Sequence, residues 1–407
     1  MTIPRYRASP IRRRSPSIDV NAVTARGPSA RQVDTSATPG EPSHRCRRWL
    51  SAAALGLISS TFSTVVSQLF AARIGRDAAV DWMTVAAIPA RDWALSAEPS
   101  WSAILTGIAF HQWADFSWAL VFFGVLGRWT ADLRPLTILA LALPWAVFSS
   151  AMEWFVLVPL LPFWQPLFTL QQPYWIGLLV HGSSAIMYPL FARLRWNGDH
   201  APAQDLRFTD GWITGGVMTI VVLGTVALFG GLGYELPWVG RAKDADQTYI
   251  RHMSAHHAQG IELAQIAAER AQDPHLRKLA MLMIASQAGE NRIFENWWLS
   301  WFDTQMPDCS KEERTAMPGF LTEAEMRQIK SAPVEFDPVF VELMSKHHRG
   351  AVKMADQMWH SRGDPRLRVM AHAIRHEQQG EIALMHRVRG TEAVATAFRN
   401  MLADNVN

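Results

Sequence analysis

Apolar and polar positions divide the chain into three stretches. Residues 1 to about 46 are rich in Arg, Ser and Pro and show no hydrophobic period, which predicts a disordered basic tail. From Leu50 to Leu232 the apolar runs lengthen and fill with Trp and Phe. Five of them approach the length that crosses a bilayer core: Leu50–Ala72, Ala103–Leu126, Leu136–Leu161, Tyr174–Phe191 and Trp212–Leu232. Beyond Trp238 the pattern changes to the three-and-four spacing of amphipathic helices. Asp244–Ala271 predicts one long helix. Asp273-Pro274, an N-cap followed by proline at the first helical position, opens a second helix to about Trp301. Thr304–Gly319 predicts a loop, and Thr322 with Glu325 a capping box for a short helix to about Lys330. A third long helix follows Pro333–Asp337 and ends at Gly363, and Asp364-Pro365 opens a fourth that ends near Gly390. No strand pattern occurs in this region. The expected class is all-α: a multi-span membrane domain over 47–235, an antiparallel bundle of two helical hairpins over 240–390, and a C-terminal tail over 391–407.

Charge orients this arrangement. The formal net charge is only +3, with 18% charged and 49% hydrophobic residues, but arginine crowds the leader. Arg12, Arg13, Arg14, Arg45, Arg47 and Arg48 stand there against only Asp19, Asp34 and Glu41. Beside a long apolar run, such a leader sets membrane orientation rather than binding nucleic acid. It is long for the n-region of a cleaved signal, and Leu50–Ala72 is long for an h-region. The connections Arg128–Arg134 and Arg193–Arg207 carry arginines, whereas Pro162–Pro173 carries no Lys or Arg. The positive-inside rule then gives a cytoplasmic N-terminus, five crossings of a bacterial inner membrane, and a C-terminal domain on the periplasmic or extracellular side. Cys46 and Cys309 flank the apolar region, and no Cys-x-x-Cys occurs, which excludes thiolate zinc sites and thioredoxin-like chemistry.

Within the bundle region the chain repeats itself. Met253-Ser-Ala-His256-His257 returns as Met344-Ser-Lys-His347-His348, and the same offset matches Asp246 with Asp337, Asp273-Pro274 with Asp364-Pro365, Gln287 with Gln378 and Glu290 with Glu381. Two copies of one helical hairpin follow. Residues three and four apart share a helix face, so Met344, His347 and His348 cluster, Met354 continues the stripe, and the facing helix brings Glu381 and Met385. Thioether and imidazole together form a soft-to-borderline ligand set that suits copper, with zinc or iron as alternatives. A glutamate there ligates directly or orients a histidine. A methionine stripe alone is ordinary core packing, and one histidine of each adjacent pair can face solvent. Recurrence of Met, His-His and Glu at one register is what packing does not require.

These residues resemble the bacterial family called domain of unknown function 305, in the repeated Met-x-x-His-His, the later Gln-x-x-Glu and the linker Met317-Pro-Gly-Phe-Leu-Thr-Glu-Ala-Glu-Met326. The resemblance covers about 244 to 390 and leaves the membrane region unassigned. It implies a ferritin-like four-helix bundle, exported or externally displayed, with some members binding copper through Met and His. The second copy matches at Met344, His347, His348, Met354, Gln378, Glu381 and Met385. The first keeps Met253, His256, His257, Gln287 and Glu290 but has Leu263 where Met354 stands and Phe294 where Met385 stands, so the second copy is expected to dominate. A di-iron oxidase needs Glu-x-x-His on two helices, and neither copy has it.

The membrane region carries its own signal. His111 and Asp115 share a face of the second expected span, Glu153 lies in the third and His181 in the fourth. Ionisable groups at that depth are costly and mark either a metal or proton site or buried polar glue. The sequence reading is a membrane-anchored metal-binding protein that captures, buffers or transfers copper, and no catalytic residue is assigned. Its partners are the lipid bilayer, a metal ion and a homo-oligomer or periplasmic protein. The alternatives are a structural or sensory module whose bundle binds a partner, and a metal-dependent redox enzyme.

Overall fold

The computed structural model describes residues 44–196, 203–234, 244–331 and 336–402, all within one compact unit, Ser43–Asn407. Most of the basic tail lies outside the described residues. Every described element is helical. Helices of five or more residues are numbered in chain order. The N-terminal helical region, called the membrane domain here for its apolar helices long enough to span, holds α1 (His44–Ala71), α2 (Ala78–Ala90), α3 (Trp101–Ala119), α4 (Pro135–Met152), α5 (Leu167–Gln171), α6 (Tyr174–Ala185), α7 (Phe191–Trp196) and α8 (Ala203–Gly231). The bundle domain holds α9 (Asp244–Arg270), α10 (Pro274–Phe302), α11 (Lys311–Ala316), α12 (Glu323–Ser331), α13 (Phe336–Trp359), α14 (Pro365–Met385) and α15 (Gly390–Leu402).

Four stretches are long and apolar enough to cross a membrane: Arg45–Ile74, Pro135–Leu160, Tyr174–Trp196 and Gln204–Gly231. The second expected span, Ala103–Leu126, is observed as α3 continuing through a wider turn at Leu120–Val125 and is not among the four. Three elements depart from the sequence expectation. The connection Gly75–Trp101 contains α2, whose N-cap Asp77 accepts hydrogen bonds from Ala79 N and Val80 N. Its 13 residues span about 20 Å, too short to cross, and it buries Val80, Met83, Ala86 and Ala87. The segment expected as a tail is helical over Gly390–Leu402, with Phe398 stacked on Phe155 of the membrane domain at 4.3 Å between ring centroids. The expected loop Thr304–Gly319 also contains α11, opened by a capping box between Ser310 and Glu313.

The repeat is visible as reciprocal capping. Asp337 accepts from Gln272 N and Asp273 N at the turn of the first hairpin, at 2.9 and 2.8 Å. Its counterpart Asp246 accepts from Asp364 N at the turn of the second, at 2.9 Å. Each hairpin thus ties off backbone N–H groups that a helix start leaves without partners. The predicted capping box at Thr322 and Glu325 is formed as well. Along the bundle, α9 packs against α13, whereas α10 and α14 touch only briefly. Membrane-domain elements fill the resulting gap: α5 lies along α14, and α2 touches α10.

Candidate metal centre

The four duplicated histidines form one buried layer. His256 on α9 and His347 on α13 meet across the two copies with ring centroids 3.9 Å apart and planes tilted by 40°, and the His348 ring follows 6.1 Å from that of His347. His256, His257, His347 and His348 are all fully buried, so neither member of either pair faces solvent. Glycine makes the approach close. A Cβ at Gly260 would lie 3.0 Å from His347 Cε1 and 2.3 Å from Gln287 Oε1. The linker seals the layer, because Gly319, at φ +70°, sits where any Cβ would strike Lys346 O and the Gly350 backbone.

Hydrogen bonding fixes the ring tautomers. His256 Nε2 lies 3.0 Å from Pro318 O, and His347 Nε2 lies 3.1 Å from His256 O. A carbonyl only accepts, so both rings carry their proton on Nε2 and present a bare lone pair at Nδ1. His348 Nε2 pairs with Glu381 Oε2 at 2.7 Å, and His257 Nε2 lies 2.8 Å from Glu290 Oε2. All four Nδ1 atoms are buried without a hydrogen-bond partner. Four buried ring nitrogens without partners in one layer, two of them bare acceptors, are costly to maintain. Burial, with a smaller contribution from neighbouring histidines, pushes His256 and His348 down to about 3 and His347 well below the ordinary histidine range. His256, His347 and His348 are therefore neutral at physiological pH, the form that ligates metals.

The methionines divide differently from the sequence expectation. Met344 and Met385 belong to the apolar cluster that includes Leu263, whereas Met354 shares a second cluster with Met253 and Phe294. The second-copy ligand set is thus split between two clusters, each mixing residues of both copies, as expected when equivalent helices pack antiparallel. Among the described residues, no three His, Cys, Asp or Glu groups are placed to hold a metal ion by themselves. Any ion in this layer needs few ligands or takes thioether sulfur among them.

Beneath the histidines lies a carboxylate layer that the sequence only partly disclosed. Glu381 and Glu290 were flagged by the repeat, but Glu377 matches Ser286 and was not. Burial first, then Glu377 and Glu290, raises Glu381 well above the usual carboxyl range. Burial and Glu290 raise Glu377 to about 7. Two membrane-domain residues enter this layer, neither marked by any motif. Gln171 donates to Glu377 Oε1 at 3.2 Å and to Glu381 Oε1 at 3.3 Å. Arg76 donates to Glu377 Oε2 at 3.1 Å, to Gln172 Oε1 at 2.8 Å and to Asp81 Oδ1 at 2.5 Å.

The four ionisable residues expected in the spans do come together. His181 Nε2 lies 3.2 Å from Glu153 Oε2 and its Nδ1 3.9 Å from Asp115 Oδ1, while His111 Nε2 lies 3.6 Å from Asp115 Oδ2. Ser63 and Ser149 contact the two imidazoles, and Trp118 Nε1 donates to Glu153. A cavity of about 150 Å³ runs beside this cluster, with His111, Asp115, Glu153 and His181 on its wall together with Arg76, Asp81 and Gln172.

Duplicated hairpins around a buried Met and His layer define a class of small helical bundle, here attached to a membrane-type domain. The family described as Domain of unknown function (DUF305) matches residues 246–389. Among solved structures, a DUF305 fragment from Deinococcus radiodurans is 33% identical, with 36% of this chain and 95% of that chain covered and a TM-score of 0.33. A DUF305 protein from Streptomyces coelicolor is 29% identical, with 35% and 89% covered and a TM-score of 0.31. CopM in its Cu(I)-bound form is 27% identical, with 35% and 92% covered and a TM-score of 0.30. A comparison with curated proteins gave no match. Through its C-terminal domain, the chain belongs to the DUF305 family.

Proposed function

We propose that the protein is a membrane-anchored copper-binding protein whose bundle captures or buffers Cu(I) at the outer face of a bacterial inner membrane. The observation that carries this reading is the layer of four buried imidazoles whose Nδ1 atoms have no protein partner. Glu381 stands behind His348 within hydrogen-bond distance, the arrangement in which a carboxyl group orients a ligating imidazole, and Glu290 lies close to His257. Imidazole nitrogen and thioether sulfur are donors that suit Cu(I), and among the described residues no three His, Cys, Asp or Glu groups converge on one point. His347 and His348 with Met344, and His256 and His257 with Met253, would supply them, with Met354 and Met385 adjoining. The close approach of His256 to His347 favours a site shared between copies over one confined to the second.

The intramembrane cluster reads as polar glue joining α1, α3, α4 and α6. The Arg76 guanidinium stands between the carboxylate layer and the cavity, and a fixed positive charge there opposes passage of a cation. The test is a Cu(I) titration of the full chain in detergent against a competing chelator, with Zn(II) in parallel and Ag(I), the ion of another CopM structure, as a second soft probe. Tight binding of one or two Cu(I) supports the reading. A folded chain that binds none of these ions would make the layer a packing feature and favour a partner-binding module.

A further inference from the structure

The membrane domain closes the carboxylate layer of the bundle. Its contribution is specific in chemistry and position. Gln171 ends α5, is buried, and uses its amide to donate to two carboxylates. One of them, Glu381, uses its other oxygen to hold His348 Nε2. The hydrogen-bonded order is therefore His348, Glu381, Gln171, Glu377, Arg76, with the last link buried at both ends. Close backbone packing makes this possible. Gly380 lies so near α5 that an added Cβ would stand 2.3 Å from Leu170 O. Its repeat counterpart Gly289 likewise faces the membrane domain, at Asp77.

We infer that Gln171 is a positioning residue for the bundle's metal layer, so that metal occupancy at His348 and docking of the bundle on the membrane domain are linked. This rests on the proposed function and deepens it. The membrane domain then does more than anchor. It fixes the carboxyl group that fixes the imidazole, and linkage is reciprocal: the factor by which the Gln171 contact tightens metal binding is the factor by which bound metal tightens that one contact, while docking contacts elsewhere stay uncoupled. The asymmetry between copies follows. Glu381 has a membrane-domain donor, whereas no hydrogen bond from that domain to Glu290 is found among the described residues.

The experiment measures Cu(I) affinity of the full chain in detergent for wild type, Gln171→Leu and Lys278→Met. Lys278 donates to Leu95 O on the same docking surface, at 3.1 Å, and touches no carboxylate. Loss of an outer-shell partner weakens metal sites about 10- to 100-fold, and a partner one bond further out is expected near the lower figure, about tenfold. Lys278→Met should match wild type. In a His348→Ala background, Gln171→Leu should change the residual affinity less than twofold, because its effect acts through that ring. Equal affinity of Gln171→Leu and wild type overturns the inference, as does an equal loss in both docking variants, or an undiminished effect without His348. A wild-type chain that binds no Cu(I) removes the proposed function itself, and this inference with it.

Discussion

Gly380→Ala sets two physical arguments against each other. Helix propensity alone favours alanine by about 1 kcal/mol in a helix interior. The structure argues the reverse. An added Cβ would lie 2.3 Å from Leu170 O, 2.5 Å from Leu170 C and 2.7 Å from Gln171 Cα, all backbone atoms that cannot rotate away. Restoring ordinary contact requires α5 and α14 to separate by about 1 Å, and overpacking of this kind costs about 1–3 kcal/mol. A clash with backbone belongs in the upper part of that range, about 2–3 kcal/mol, so after the propensity gain a net loss of about 1–2 kcal/mol at the docking surface is expected, or roughly tenfold easier local opening. Hydrogen exchange read by mass spectrometry on the full chain, over 167–172 and 372–385, measures it directly. Gly289→Ala provides the comparison, because its Cβ would meet the Asp77 side chain at 2.9 Å, and a side chain can shift. Exchange in Gly380→Ala that is unchanged or slower than wild type would refute the docking geometry.

Two further outcomes follow from the buried charges. In the metal-free chain, His256, His347, His348, His372 and His376 are all depressed by burial, so between about pH 6.5 and 4 the unfolded chain takes up protons that the folded chain refuses, and stability falls as pH falls. Glu377 and Glu381 are raised, which acts oppositely: they lend relative stability at low pH that is lost as pH rises through about 7. The imidazoles outnumber the carboxyls, so a denaturation midpoint that peaks near neutrality is expected, and one that rises steadily down to pH 4 would contradict the burial of the histidine layer. Combined His111→Gln, Asp115→Asn and His181→Gln should lower the thermal midpoint while leaving Cu(I) affinity within twofold. Loss of a bound equivalent would instead make the intramembrane cluster a second cation site.

The sequence exposed what repeats and what is periodic. The hairpins were legible because Asp-Pro starts and Met-x-x-His-His recur at one offset, and because amphipathic spacing survives in a polar domain. Asp246 and Asp337 were matched in advance, although their reciprocal capping across hairpins is a tertiary fact. The co-location of His111, Asp115, Glu153 and His181 was legible because charge is costly inside an apolar run. What stayed hidden has a common cause. Gln171, Arg76 and α2 act through contacts between two domains, and a single polar residue at the end of a short helix carries no period. Glu377 escaped because its repeat partner is Ser286. The split of Met344 from Met354 escaped because spacing places residues on a face without saying which helix that face meets.

The central claim is that the spared ring nitrogens of the histidine layer bind Cu(I). Its most direct test is one Cu(I) titration of the full chain beside a His347→Gln/His348→Gln variant shown to be folded by circular dichroism. The account predicts one or two tightly held ions in the wild type and loss of at least one in the variant. Equal binding by both proteins, or none by either, would contradict it.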